Sequence, residues 1–163
     1  LISSSKTFNT AGGFCAFAII PNAELRERYK QVNDEITGHV SSFGLVAAEA
    51  ALSGACDDWL AELRPYLRAN RDFVADFLTE NFPAARFTIP DATYLMWIDF
   101  SEYVKTGRID GSPYEFFLNK AKVALSDGKI FGDGMENFAR LNFAAPRQLI
   151  AEGLERMHNA LQQ

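Results

Sequence analysis

The chain has 163 residues, 48% of them hydrophobic and 23% charged, which is enough to bury one core, or one core plus a small lobe, and is not the composition of a disordered segment. Sixteen Lys and Arg against 21 Asp and Glu leave a net charge of -5, which excludes the basic footprint of a general nucleic-acid or anionic-membrane binder. The longest unbroken apolar run, residues 14–20 (FCAFAII), is too short to cross a bilayer, so no membrane span is expected.

That run, closed by Pro21, reads as a strand buried on both faces of an α/β sheet, although periodicity alone does not separate it from a buried helix. Asn22 offers an N-cap, and Leu25, Tyr29 and Val32 follow at helical spacing, which predicts a short surface helix. Residues 33–42 are polar and contain a glycine, a loop signature. Residues 43–52 form a nearly all-apolar, Ala-rich helix, expected to be buried almost all round and to end at Ser53 and Gly54. From Asp57 to Asn81 a helical period persists, interrupted by Pro65, which kinks the helix or marks its start.

Past Phe82 and Pro83 the pattern changes to strand-like runs at 86–89, 94–100 and 138–143, interleaved with helices. One helix opens at Ser112, where Pro113 and Glu115 complete an N-terminal signature. The last opens near Pro146 with Leu149, Ile150, Leu154, Met157 and Leu161 assigned to one face. The organisation is therefore a strand–helix layer over residues 1–56, a connecting helix over 57–82 and a small α+β lobe over 83–163.

Cys15 and Cys56 form no CxxC pair, and Cys15 sits in an apolar run, which points to thiols in a reducing, cytoplasmic setting. Cys15, His39, Cys56 and His158 lack the short spacings of a zinc site, so no metal is expected.

Two stretches carry chemistry. In residues 3–9 (SSSKTFN) a lysine stands among hydroxyl groups just before small residues. It is either a solvated loop or a place where the amine attaches covalently to pyridoxal phosphate while hydroxyls hold the phosphate. Farther on, Arg140 interrupts an otherwise apolar strand, where a guanidinium calls either for a structural ion pair or for bidentate contact with a ligand carboxylate or phosphate. The glycine-rich loop before it is an ordinary turn or a close backbone approach to a ligand.

Together these residues resemble the class I/II, fold-type I aminotransferase superfamily, and within it the branch of cystathionine beta-lyases and related carbon–sulfur beta-lyases. Residues 3–9 are similar to the family's cofactor-lysine motif, and residues 92–100 (ATYLMWIDF) to its GTYLLW strand. Residues 125–132 (LSDGKIFG), followed by 139–147 (ARLNFAAPR), are the most specific match.

The resemblance implies an α/β chain that is the C-terminal part of a pyridoxal-phosphate-dependent transferase-like fold, with part of a large-domain layer, a long connecting helix and a small α+β domain. Lys6 would then be the catalytic and cofactor-holding lysine, Ser3 and Ser5 the neighbouring cofactor hydroxyls with Ser3 favoured for the phosphate, and Arg140 the clamp on the substrate α-carboxylate. Phe14 stands where the aspartate-aminotransferase branch has a phosphate-binding arginine, Gly13 where the lyase branch has Leu, and Ala145 where it often has Cys. The family's ring-stacking and pyridinium-pairing residues lie upstream of the lysine, and with the absent initial methionine this implies the C-terminal portion of a longer enzyme, inactive alone.

The implied reaction is cleavage of cystathionine or cysteine-type substrates to thiol, pyruvate and ammonia. Transamination is the alternative, and a regulatory or binding module without catalysis is the alternative of another class. The implied parent acts on an amino-acid substrate as a homodimer, with residues 38–43 reaching toward the neighbouring site and nucleic acid and membrane excluded as partners.

Overall fold

The computed structural model describes residues 1–36 and 39–162, arranged in two compact units, Leu1–Arg64 and Pro65–Gln163.

In the first unit, residues 14–20 do not make the expected strand. Ile2 and Phe17 form a single antiparallel bridge, exchanging backbone hydrogen bonds of 2.9 and 2.8 Å. A buried strand needs a continuous ladder beside it. Among the described residues of this unit only Ile2 supplies a rung, and Phe14 breaks the extended course with a left-handed φ of 49° after a 3-10 turn at Ala11–Gly13. Helix α1 (Ala23–Ile36) starts as predicted, with Asn22 Oδ1 accepting from the Leu25 N–H at 2.9 Å. It runs through part of the predicted loop, because Ile36 continues the helical spacing of Leu25, Tyr29 and Val32. The remainder of that loop includes residues 37 and 38, which lie outside the described residues.

Helix α2 (Ser42–Leu52) ends as expected, with Gly54 at φ +91°. Its expected all-round burial is not found. Only Gly44, Ala48 and Ala51 face inward, while Phe43 is 88% exposed and Val46 66%. The small residues recur at helical spacing and let the backbone of the 3-10 turn come close. A Cβ on Gly44 would lie 2.1 Å from the Gly13 carbonyl oxygen, so only glycine fits there. Helix α3 (Asp57–Asn81) has the predicted bounds, and Pro65 lies inside it rather than at its start.

The second unit holds an antiparallel sheet of order β1–β2–β4–β3, with β1 at Arg86–Phe87, β2 at Leu95–Asp99, β3 at Ser126–Asp127 and β4 at Phe138–Asn142. Strand alternation sorts the side chains. Met96, Ile98, Ala139 and Leu141 enter the core, which they share with Val74 and Leu78 of α3, Phe82, Phe100, Tyr103 and Phe117. Arg140 stands on the opposite face, opposite Trp97 in the β2–β4 register and Ser126 in the β3–β4 register. Short helices α4 (Ser101–Lys105) and α5 (Pro113–Phe116) follow β2, with the Ser112 hydroxyl accepting from the Glu115 N–H at 3.2 Å as its sequence predicts.

Helix α6 (Arg147–Ala160) buries Ile150, Leu154, Met157 and Ala160, and Leu161 just beyond it. Leu149 is 60% exposed, a correction to its predicted place on the buried face: one residue is a 100° step, which carries it off the stripe. A buried polar clamp ties α3 to the chain after β4. The Asn70 amide donates to the Phe143 and Ala145 carbonyls at 3.0 and 2.9 Å and accepts from Arg147 Nε at 2.7 Å, with no exposed surface of its own. The Tyr66 hydroxyl adds an accepted bond from the Arg147 N–H at 3.0 Å.

Asn70→Ala is expected to lower unfolding stability by about 2–3 kcal/mol, since it strands buried acceptors, whereas Asn159→Ala on an exposed surface should stay within about 0.5 kcal/mol. Urea denaturation of the two variants beside the parent chain measures the difference.

Candidate active site

The first group of site residues sits in a tight N-terminal turn, in which the Phe8 N–H bonds the Ser4 carbonyl at 2.9 Å and the Thr10 N–H the Ser5 carbonyl at 3.1 Å. Ser4, which the sequence does not distinguish from its neighbours, is the buried member and meets the Thr10 hydroxyl at 2.9 Å. Its alternation with Ser3 and Ser5 is the one signal that could have marked it.

Ser3 Oγ lies 2.6 Å from Ser5 Oγ, 3.0 Å from the Cys15 carbonyl and 3.1 Å from the Ser5 N–H. The Ser3 hydroxyl has one proton to share between Ser5 Oγ and the Cys15 carbonyl, and it accepts from the Ser5 N–H. Ser3 thus has its donor committed, and a phosphate there would have to displace one of these bonds. Lys6 is exposed and its amine has no hydrogen-bond or ion-pair partner among the described residues. An unpaired amine beside two mutually bonded hydroxyls is a donor set that fits covalent attachment and phosphate contact. Phe14 is 86% exposed and carries no charge for a phosphate. The Gly13 departure is met by Gly44, whose Cα would be 3.2 Å from a Cβ at residue 13, and Ala145 enters the Asn70 clamp only through its carbonyl.

The second group belongs to the sheet. The half-buried Arg140 guanidinium donates through Nη2 to Ser126 Oγ at 3.3 Å and lies 4.6 Å from the centroid of the Phe131 ring. Its Nε is buried without a hydrogen-bond partner, and no carboxylate pairs with it among the described residues. Of the two readings of this arginine, the structural ion pair has no carboxylate to support it among the described residues. A guanidinium taken out of water without a counter-anion is costly, and a bound anion offsets that cost. Trp97, Phe131 and Met135 line an open depression of about 350 Å³ beside it. Trp97 stacks on Phe138 at 5.5 Å and meets the Phe131 ring edge-on at 5.1 Å.

Phe131 is delivered by the glycine-containing loop. Asp127 Oδ1 accepts from the Lys129 N–H at 3.1 Å and opens a 3-10 turn at Gly128–Phe131. A Cβ on Gly128 would fall 2.0 Å from the Met135 carbonyl oxygen and 2.5 Å from that of Phe138. The close approach predicted as an option for this loop is therefore to its own backbone. Sequence reasoning misses Trp97, Phe131 and Met135 as neighbours of Arg140; the signal is that Trp97 and Arg140 each occupy the non-core phase of a strand whose alternate residues are core.

Ser3, Ser5 and Lys6 are brought together in the first unit, and Arg140 stands in the second with its own neighbours. Among the described residues no three or more His, Cys, Asp and Glu side chains gather as a metal site, and no helix is long and apolar enough to cross a membrane.

No family model matches the chain. It is 36% identical over 161 residues to a cystathionine beta-lyase of Corynebacterium glutamicum, covering 99% of this chain and 42% of that protein. Among solved structures, a PLP-bound C–S lyase from Staphylococcus hominis superposes with a TM-score of 0.87 at 36% identity, covering 98% of this chain and 40% of the other. A putative PLP-dependent beta-cystathionase from Corynebacterium diphtheriae does so with a TM-score of 0.87 at 41% identity, covering 99% and 41%. The fold is the C-terminal region of the PLP-dependent transferase-like enzymes. Within that class the chain matches the C-terminal portion of the cystathionine beta-lyase and carbon–sulfur lyase branch, of whose members it spans about two-fifths.

Gly128→Ala is expected to force the loop away from β4 and lower stability by about 1–3 kcal/mol, because two backbone carbonyls occupy the space of the new methyl group. Thermal unfolding reports the loss, and a changed Trp97 emission spectrum reports the departure of Phe131.

Proposed function

We propose that the whole protein is a pyridoxal-phosphate-dependent carbon–sulfur beta-lyase, cleaving cystathionine or cysteine-type substrates to a thiol, pyruvate and ammonia. The observation that carries this reading is the Arg140 guanidinium, held half-buried with its Nε unbonded and no carboxylate partner, which suits the α-carboxylate of an amino acid. Lys6 would hold the cofactor, and Ser3 and Ser5 would contribute to its phosphate contacts once the bond between their hydroxyls reorganises. Bound there, pyridoxal phosphate would supply an electron sink for the charge left on Cα when its proton is removed.

The roles of the chain's own groups follow from their chemistry. Arg140 binds and orients the carboxylate, which fixes the direction of the Cα–H bond. The Lys6 amine, when free, takes the proton from Cα. Departure of the sulfur from Cβ with its bonding electrons leaves a thiolate, which takes up a proton to give the thiol, and the three-carbon remainder takes up water to give pyruvate and ammonia. Transamination uses the same two residues, and it rests on weaker similarity than the lyase reading.

In this reading residues 1–56 are the C-terminal part of the cofactor-binding large domain, residues 57–82 the interdomain helix and residues 83–163 the small domain. A homodimer is the accompanying proposal, supported by the exposed apolar side chains of α2, Phe43 and Val46 among them. Residues 39–43 are the described part of the segment assigned to the neighbouring site. Ser41 stands at the N-cap of α2 without a side-chain capping bond, so its hydroxyl is not committed to the helix. The free thiols of Cys15 and Cys56 suit a cytoplasmic setting.

In the whole protein, Lys6→Ala is expected to abolish both turnover and the visible absorbance of the covalently held cofactor. Arg140→Ala should retain that absorbance and lower kcat/KM by roughly thirty- to a thousandfold, the loss of a charge-assisted bidentate contact. Unchanged kinetics in Arg140→Ala would remove the carboxylate role. The purified 163-residue chain, which spans about two-fifths of the length of its relatives, should show no turnover.

Product analysis decides the reaction. With cystathionine, elimination gives thiol, pyruvate and ammonia in equal amounts without a keto-acid acceptor. Turnover that depends on an acceptor and retains sulfur on the product would make the protein an aminotransferase.

A further inference from the structure

Arg140 is a long side chain on the outer face of a sheet, and nothing of opposite charge among the described residues holds it. Two contacts nevertheless restrict it. Arg140 Cζ lies over the Phe131 ring, 4.6 Å from its centroid, and Ser126 Oγ takes an Nη2 proton at 3.3 Å from the neighbouring strand. The ring and the hydroxyl together limit where the guanidinium can lie. Nη1 makes no hydrogen bond among the described residues and Nη2 spends one of its two protons on Ser126, so donors remain on these two nitrogens for a planar, two-oxygen acceptor, while Nε is buried. Trp97, Phe131 and Met135 give the open depression beside the group an apolar lining.

We propose that Phe131 and Ser126 are positioning residues for carboxylate recognition, holding the guanidinium of Arg140 in one orientation before the amino-acid substrate arrives. The proposal rests on the reading of Arg140 as the carboxylate-binding residue. Phe131 is itself set in place by the backbone contacts that require glycine at position 128, so the loop at 126–131 acts on the substrate only through the arginine. Preorganisation of this kind lowers the entropy lost when the carboxylate binds, and it acts on ground state and transition state alike. Its signature is therefore a changed KM with little change in kcat.

The experiment uses the whole protein with its cofactor bound and compares Phe131→Leu, which keeps an apolar side chain but loses the planar face, with Phe131→Tyr, which keeps that face. Phe131→Leu is expected to raise KM for cystathionine about fivefold with kcat within about twofold of the parent, and Phe131→Tyr to restore the parental KM. Ser126→Ala should raise KM about threefold. Calorimetric titration with propionate, a carboxylate that cannot react, should show binding weakened in parallel, while the cofactor absorbance stays unchanged in all three variants.

If Arg140→Ala abolishes propionate binding but Phe131→Leu and Ser126→Ala leave both KM and propionate affinity within about twofold, the positioning role is overturned and the arginine reading stands. If Arg140→Ala leaves propionate binding intact, the arginine reading itself fails, and this proposal with it. A fall in kcat at constant KM in Phe131→Leu also overturns the proposal. Should Phe131→Leu fail to fold, Ser126→Ala decides alone: weakened propionate binding supports the proposal, and parental binding overturns it.

Discussion

A cation held on one face of a small sheet, with no anion to answer it among the described residues, is the constraint around which the second unit is organised. Arg140 lies between Trp97 of β2 and Ser126 of β3, so both neighbouring strands must be in register for its surroundings to exist. The loop that brings Phe131 over it is folded against the carbonyls of Met135 and Phe138. On the far side of β4, the Asn70 clamp gathers the carbonyls of residues 143 and 145 and the side chain of Arg147. The strand carrying the cation is thus fastened before and after it by contacts that do not involve the cation, leaving the guanidinium available to an outside partner.

The two units differ in how they use their apolar residues. The second places its large side chains in one continuous cluster, with Met96, Ile98, Phe82, Phe100 and Phe117 all fully buried. The first turns glycine and alanine inward and leaves Phe14, Ile36, Phe43 and Val46 largely exposed. A surface of this kind has the composition of a contact area rather than of a solvated exterior. It explains why the Ala-rich helix reads as fully buried from its sequence: hydropathy records what a side chain can bury, and does not record which surface does the burying.

Much of the architecture is legible because local signals agree. Asn22 caps α1 and Ser112 caps α5 through the bonds their side chains are built to make, and α3 runs from Asp57 to Asn81 as its period requires. Where a feature depends on a partner distant in sequence, the signal fails. Residues 14–20 lack the ladder that would make them a strand, β3 is a two-residue polar strand recruited only by β4, and Leu149 differs from its buried neighbours by one helical step. The site divides in the same way. Lys6 and Arg140 stand out because a lysine among hydroxyls and an arginine in an apolar strand are each out of place. Ser126, Trp97 and Phe131 are unexceptional residues whose relation to Arg140 exists only in the folded sheet.

The alternation of β4 gives the arginine a further effect on folding. Ala139 and Leu141, on either side of it, enter the core. Pairing β4 with β2 one residue out of step would exchange the faces, driving the guanidinium among Met96 and Ile98 and turning Leu141 toward water. A charge without a partner makes that slipped arrangement far less stable than an uncharged residue would. The same side chain that is available to a ligand in the native sheet therefore penalises misregistered sheets during folding. A neutral replacement at position 140 would relax a constraint on strand pairing as well as remove a binding group.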